Sequence, residues 1–403
     1  MTRCSKLLCL LLLNSSLVGA RQSTERAEDS LSRSQTIQST VIGGYGNAYY
    51  RRDFDQGIST ADLERVVLFV GHNFGTISFF SELEMEDAKV EGDGGGEIAF
   101  EQAYLRFNLD HGHSIVAGLF LPRIGILNEN HLPIQFNGNE RTQVETNIIP
   151  STWRELGVGF YGSMESVPVN YSVGLVNGLN SGAFEHGSGI REGRFEGRLA
   201  TANNLAVTGA VQMFIGGMRT QISGYYGGTV GLSPRQADSL QLISGMFGSP
   251  VGIGEADLVY DENKFSFRAL GVIVTIPEAS DINRAYANNT PSGEYGAYAE
   301  IGYDILSTIS PGVSAQLVVF ARIEVLDMNS TVPANGITDG TLKQRHIIVG
   351  INYLPVNDVV VKADVRFSHT GNRNPALILN PDPSAPPYQP NDSFLNLGIG
   401  FAF

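Results

Sequence analysis

The sequence predicts an all-β fold: a transmembrane antiparallel β-barrel of about 16 strands, with short periplasmic turns and long external loops. Three observations favour this fold. No stretch after residue 20 has the roughly 18 consecutive apolar residues of a membrane helix. Segments of about ten residues instead alternate apolar and polar side chains, which is the period of a β-strand. The links between these segments are alternately short and long, and this alternation separates a membrane barrel from a soluble β-sandwich.

The first 20 residues are typical of a secretory signal peptide. Arg3 and Lys6 precede a short apolar run, and residues 18–20 are small enough for cleavage. The alternative, a membrane-anchoring helix, is disfavoured because the apolar run is too short to span a bilayer. Both cysteines, Cys4 and Cys9, lie in this segment, so the mature chain would have no disulfide. We interpret residues 21–36 as a short polar periplasmic lead and residues 37–403 as the barrel.

Sixteen segments have the length and alternation of membrane strands, and an even count suits a closed barrel. They span 41–52, 60–72, 76–88, 97–109, 113–122, 151–163, 167–177, 204–215, 218–229, 250–262, 264–275, 292–306, 313–326, 340–354, 357–369 and 391–403. Residues 188–203 could form a further strand, but the total would then be odd, so we assign them to a loop. In the last segment Leu397 and Ile399 fall on one face, and Asn396 and Gly398 on the other. We expect the apolar faces to contact outer-membrane lipid.

The polar face of each strand is expected to line a water-filled lumen, because an Arg or Lys facing lipid at the bilayer centre costs roughly 2–4 kcal/mol. The predicted channel-lining residues are Glu82, Glu84, Tyr104, Arg106, Glu255, Asp257, Arg268, Glu300, Arg322, Glu324, Lys362, Asp364 and Arg366. Two roles remain open for them. Opposite charges can pair across strands and stiffen the wall, or they can create a transverse field that orients solutes in a narrow pore.

The segment 123–150 joins the fifth and sixth predicted strands and mixes charged residues with many aliphatic ones. A freely solvated loop has little use for so many aliphatic side chains, so we expect this one to fold into the barrel and narrow it. Its predicted constriction residues are Arg123, Glu129, His131, Glu140, Arg141 and Glu145. The alternative is an external cap over the barrel mouth.

The charge and the motifs disfavour several functional classes. A formal net charge of −14 argues against nucleic-acid binding, because no basic excess is available to neutralise phosphates. Ser368 and His369 are neighbours on a predicted strand and point to opposite faces, so they do not form a catalytic pair. His111 and His113 lie in a turn, where solvated side chains are the simpler interpretation than a metal pair. We therefore expect no enzyme activity, no cofactor and no metal.

Three stretches carry a resemblance to a known family. The sequences "HSIVAGLFLPRIG", "WRELGVGFYG" and "YSVGLVNG" are similar to the middle of the phosphate-selective porin O and P family. In that family a Gly-x-Phe-x-x-Pro strand precedes the constriction loop, and a later strand ends in Asn-Gly. The matching positions here are Gly118, Phe120, Pro122 (one residue early), Asn177 and Gly178.

This resemblance implies a 16-stranded, usually trimeric channel whose third external loop folds inward. It also implies phosphate binding by lysines and arginines of the constriction, and here the sequence departs from the family. Lys362 is the one lysine predicted to face the lumen from mid-strand, and Leu121 stands where a basic residue is common before the proline. The final strand, with Phe401 and Phe403, resembles the signal that the barrel assembly machinery recognises.

The combined expectation is a channel of a Gram-negative outer membrane through which small hydrophilic solutes or ions diffuse passively. A homotrimer is the expected assembly by resemblance. The alternative is an occluded structural barrel whose external loops, such as 370–390, bind a partner. A barrel enzyme is a third class, and the sequence offers no catalytic arrangement for it.

Overall fold

The computed structural model describes residues 39–90, 96–164, 166–377 and 388–403. The predicted signal peptide and periplasmic lead lie outside the described residues. The described residues form sixteen strands. They are β1 (Ser39–Asp53), β2 (Ser59–Asn73), β3 (Ile77–Glu86), β4 (Ile98–Asn108), β5 (His113–Phe120), β6 (Glu155–Ser163), β7 (Val169–Asn177), β8 (Leu205–Ile215), β9 (Met218–Gly227), β10 (Val251–Glu262), β11 (Phe265–Thr275), β12 (Gly293–Asp304), β13 (Gln316–Thr331), β14 (Lys343–Val356), β15 (Val359–Thr370) and β16 (Asn391–Ala402).

Each strand pairs antiparallel with the next, and β1 pairs with β16, so the sheet closes into a barrel. The predicted antiparallel barrel of 16 strands is therefore confirmed. Closure matters because an open edge would leave a row of unpaired backbone groups. Residues 188–203 form no strand; they contain a 3₁₀ turn at Arg191–Gly193.

Two predicted boundaries were wrong by several residues. The strand β6 begins at Glu155 and not at 151, because the preceding residues belong to the long β5–β6 connection and are buried there. The strand β13 continues to Thr331, five residues beyond the predicted end at 326, where Met328 and Asn329 are still buried. In both places contacts with the long connections, rather than local alternation, decide the strand boundary.

The long connections lie at one end of the barrel and contain short helices. These helices are α1 (Gln143–Asn147), α2 (Pro234–Leu240) and α3 (Ala279–Tyr286); α4 (Leu306–Ile309) lies at the opposite end, between β12 and β13. Within the described residues, no helix has both the length and the apolar character needed to span a bilayer.

The outer surface of the barrel is apolar. Side chains such as Ile222, Ile273 and Ile301 are exposed, whereas the neighbouring Gln221 and Glu300 are buried on the inner face. This alternation is the pattern expected of strands that face hydrocarbon outside and polar groups inside. On β16 the sequence-based assignment of faces agrees with the structure: Leu397 and Ile399 are exposed and Asn396 is buried.

Part of the interior is filled by an apolar core. It combines inward residues of the strands, such as Phe120 and Val272, with residues of the long connections, such as Trp153 and Ile282. Because these side chains lie between wall and connections, this part of the barrel is packed like a soluble protein core. The water-filled lumen expected from the sequence is accordingly reduced.

Two glycines on β16 let a connection approach the wall closely. A Cβ on Gly400 would lie 2.6 Å from Cβ of Pro133, and a Cβ on Gly398 would meet the side chain of Asn139. Atoms that close must move, so only a residue without a side chain fits. The alternation of large and small residues in the last strand thus has two causes: lipid outside and the β5–β6 connection inside.

We expect Gly400→Val to destabilise the barrel by about 1–3 kcal/mol, because it overpacks the contact with Pro133. The midpoint of thermal unfolding in detergent, followed by circular dichroism, measures this effect. Gly271→Val is the matched control, since a Cβ at Gly271 meets nothing within 4 Å. Equal midpoints for the two variants would contradict the close approach.

Candidate functional site: a charged cavity beside the β5–β6 loop

The β5–β6 loop, residues 121–154, lies inside the barrel. Gln221 of β9 donates a hydrogen bond to Gly125 O (3.4 Å), and the Tyr298 hydroxyl of β12 donates to Glu145 (2.6 Å). On the other side of the barrel, Thr152 donates to Glu101 of β4 (2.8 Å). A segment that contacts β4, β9 and β12 of one closed barrel must cross its interior.

Positively charged wall residues donate to the backbone carbonyls of this loop. Nη2 of Arg268 is 2.6 Å from Gln135 O, Nη1 of Arg322 is 3.1 Å from Asn137 O, and Nζ of Lys362 is 2.9 Å from Phe136 O and 2.7 Å from Gly138 O. Lys362 also lies over the Phe136 ring, 3.9 Å from its centroid. Buried carbonyls need donors, and charged donors make the stronger hydrogen bonds.

Negatively charged wall residues accept from the loop amides. The amide of Asn139 donates to Asp364 Oδ2 (2.8 Å), and the amide of Val144 donates to Glu324 Oε2 (3.2 Å). The wall charges also pair with one another, since Glu300 lies between Arg322 (3.1 Å) and Arg268 (3.7 Å) across neighbouring strands. The wall residues that bond to the loop backbone are thus held in place by ion pairs with residues on neighbouring strands.

The loop is also organised by its own side chains. Glu145 is fully buried and accepts from the amides of Ile126 (2.8 Å) and Leu127 (2.6 Å). Arg123 pairs with Glu129 (2.9 Å). His131 is buried at 1% exposure. These predicted constriction residues therefore hold the loop together.

A polar cavity of about 460 Å³ remains between the loop and the wall formed by β1–β4. Six arginines and seven glutamates border it: Arg51, Arg65, Arg141, Arg154, Arg191, Arg194, Glu64, Glu84, Glu86, Glu97, Glu140, Glu192 and Glu196. The formal charge of this lining is 6 − 7 = −1. Arg191, Arg194, Glu192 and Glu196 come from the β7–β8 connection, which closes the cavity on a third side.

Ion pairs order this lining. Glu140 accepts from Arg51 of β1 and from Arg366 of β15 (2.9 Å), so it joins two strands through the loop. Glu196 pairs with Arg194 (2.8 Å) and with Arg154 (3.1 Å). Burial lowers the pKa of the Arg194 guanidinium to about 10, so this side chain stays charged at neutral pH.

The structure places the residues predicted to line a channel in two environments: some border the cavity, and others bind the loop or each other. Glu84 borders the cavity, together with Glu140 and Arg141 of the predicted constriction set. The charged residues of β11, β12, β13 and β15 instead bind the loop or each other, as described above. Glu255 accepts from Ser223 (2.5 Å), and Asp257 from Arg219 (2.8 Å), between β10 and β9.

The predicted residues on β3 and β4 are buried or half-buried on the inner face. Glu82 accepts from Gln102 (2.7 Å) across the two strands. Tyr104 packs against Phe80 with ring centroids 5.6 Å apart. Arg106 is half-buried two residues further along β4.

Two β-bulges bring in charged residues that strict alternation did not predict. The register shifts between β3 and β4 after Glu82, so Glu101 has no partner on β3 and turns inward beside Gln102. A similar shift between β1 and β2 brings both Glu64 and Arg65 to the cavity. Consecutive residues share a face only where a bulge adds a residue to one strand. The sequence did contain a signal for the bulge on β4. Strict alternation would place the charged side chain of Glu101 in lipid, which is unfavourable.

We expect Lys362→Met to loosen the loop, because the carbonyls of Phe136 and Gly138 lose their donor. Amide hydrogen exchange of residues 135–140, measured by mass spectrometry in detergent, should accelerate roughly tenfold, or about 1.4 kcal/mol. Lys264→Met is the control, because the Lys264 ammonium donates to Ser307 O (3.0 Å) and Thr308 Oγ1 (3.3 Å) of α4, at the opposite end of the barrel from the long connections. Unchanged exchange in Lys362→Met would show that this lysine does not hold the loop.

No family model matches the chain. An uncharacterized protein of Aquifex aeolicus (strain VF5) is 29% identical over 345 residues, which cover 82% of this chain and 76% of that protein.

Three solved structures show the same architecture. The outer membrane channel DcaP of Acinetobacter baumannii has a TM-score of 0.54 and 12% identity, and covers 91% of this chain and 97% of its own. The anion-selective porin from Comamonas acidovorans has a TM-score of 0.52 and 12% identity over 91% of this chain and 100% of its own. The trimer form of OmpT from Vibrio cholerae has a TM-score of 0.51 and 10% identity over the same shares. The chain therefore has the fold of a porin-type barrel.

Proposed function

We propose that this protein is an outer-membrane channel through which small hydrophilic solutes or ions diffuse passively. The observation that carries the proposal is the charged cavity between the β5–β6 loop and β1–β4. The loop fills and braces the opposite side of the barrel, so the polar path is confined to this cavity. A narrow passage lined by both signs of charge can hold ions without binding them tightly.

The distribution of charge supports selectivity set by the loop. Glu84 and Glu86 lie on β3, whereas Arg141, Arg154 and Arg194 lie on the two inward connections. Counted over the whole lining, the strand side, with Glu97 just before β4, has a formal charge of 2 − 4 = −2, and the two connections have 4 − 3 = +1. A solute in the cavity therefore has a net acidic strand side and a net basic loop side. In this proposal the β5–β6 loop is the constriction.

Several further features belong to the proposal. The apolar outer face contacts lipid of a Gram-negative outer membrane, reached through export by the signal peptide of residues 1–20. The exposed Phe403, just after β16, and Phe401 form the signal for the barrel assembly machinery. Three copies form a homotrimer, as the porin-type fold supports. The chain is a divergent relative of the phosphate-selective porins in which arginines, rather than a row of lysines, face the path.

Conductance in planar lipid bilayers tests the proposal directly. Purified protein should give discrete current steps in potassium chloride, and the reversal potential under a salt gradient should report its preference for cations or anions. Protein that inserts but gives no steps would overturn the channel and leave an occluded barrel.

We expect Glu140→Gln to shift the preference toward anions, because the charge of the cavity lining changes from −1 to 0. A unit charge several Å away is worth ~0.5 kcal/mol in water, so the anion-to-cation permeability ratio should rise roughly twofold. Glu262→Gln makes the same change in charge at the end of β10, away from the cavity, and should leave the ratio unchanged. An equal shift in both variants would place the selective path elsewhere.

A further inference from the structure

Three side chains that can bind a metal converge where the β5–β6 loop packs against β3 and β4 of the wall. They are Glu82 of β3, Glu101 of β4 and His131 of the β5–β6 loop, and one ligand atom from each lies within 4.8 Å of the others. All three side chains are buried, at 0%, 0% and 1% exposure. They come from three separate parts of the chain, and the bulge on β4 is what turns Glu101 toward the other two.

The orientation of His131 points to a ligand. Its Nδ1 is 3.1 Å from Asn128 O, and a carbonyl only accepts, so the hydrogen-bond network assigns the ring proton to Nδ1. In the neutral ring, Nε2 then carries a lone pair, and this buried atom makes no hydrogen bond. A histidine that donates one N–H to a backbone carbonyl and presents its other nitrogen to the site is the arrangement found around bound metals.

An ion pair between a protonated His131 and Glu101 fits less well. The distance from Nε2 to Glu101 Oε2 is 3.5 Å, whereas a charge-assisted hydrogen bond is about 2.7–2.9 Å long. The oxygens of Glu101 are instead occupied by neutral hydroxyl donors, Tyr45 and Thr152, both at 2.8 Å. These contacts orient the Glu101 carboxylate but do not neutralise its negative charge.

We propose that Glu82, Glu101 and His131 bind one divalent transition-metal ion of the zinc class. Two carboxylates and one neutral imidazole carry a charge of −2, which a divalent cation balances in a site without solvent exposure. Magnesium and calcium prefer oxygen ligands alone, whereas an imidazole nitrogen suits zinc. Bonds of about 2.0–2.2 Å require ligand atoms roughly 3.3–3.6 Å apart. Nε2 of His131 and Oε2 of Glu101 already have this spacing, at 3.5 Å, and the Glu82 carboxylate lies within 4.8 Å of the other two ligands.

Such an ion would tie the loop to β3 and β4. The wall residues of β11–β15 hold residues 135–144 from the far side, and the metal would fix residue 131 on the near side. The site is independent of whether solutes pass through the cavity, since it is enclosed and none of its three ligands borders that cavity.

Zinc binding to the full-length barrel in detergent tests this site. Protein stripped with a chelator should take up one Zn²⁺ per chain in competition with a chromophoric indicator, with micromolar affinity or tighter. His131→Gln should weaken binding at least a hundredfold, and Glu101→Gln at least tenfold. His186→Gln should leave it unchanged, because His186 pairs with Asp339 on the external loops (3.0 Å).

Weak binding that is equal in wild type, His131→Gln and His186→Gln would overturn the proposal and leave His131 as a partner of Glu101. If His131→Gln does not fold, X-ray absorption of the zinc-loaded wild type decides. One imidazole nitrogen with oxygen ligands supports the site, and a shell without imidazole overturns it. Conductance is measured separately, so failure of this proposal is distinguishable from failure of the channel.

Discussion

The structure depends on one constraint: a loop placed inside a closed barrel must find hydrogen-bond partners for its own backbone. The wall has already paired its backbone groups between strands, so only side chains are left to serve the loop. Arg268, Arg322 and Lys362 supply donors to its carbonyls, and Asp364 and Glu324 accept from its amides. Charges that an open lumen would present to water are here partners of main-chain atoms.

This constraint divides the interior into two regions. Where the loop meets β9–β15, its backbone and aliphatic side chains fill the space, and Tyr298 and Val144 are both buried. Where it faces β1–β4, arginines and glutamates leave an open polar volume. The same loop therefore closes one side of the barrel and shapes the other. Its rigidity on the closed side keeps Glu140 and Arg141 in position on the open side.

Period-two alternation predicted the strands and their lipid face, because a membrane imposes that pattern on every strand. The number of strands also required the rule that a closed barrel has an even count, since residues 188–203 could have formed one more. It failed at Glu101 and at Glu64 with Arg65, where a bulge breaks the period. It also could not separate the wall charges that bind the loop from those that border open space, since both face inward. The arginines of the β7–β8 connection carry no periodic signal, and only the tertiary structure brings them to the same cavity as Glu84 and Glu86 of β3.

The seam between the first and last strands carries a second small core. Tyr45 of β1, Leu132 of the loop and Ala402 of β16 pack together there, and Pro133 fits over Gly400. Residues 132 and 402 meet where β16 pairs with β1, so their contact depends on closure of the barrel. Without β16, residues 132 and 133 of the loop lack part of the surface against which they pack. Closure of the barrel therefore also buries this part of the loop, and a chain truncated before β16 loses both.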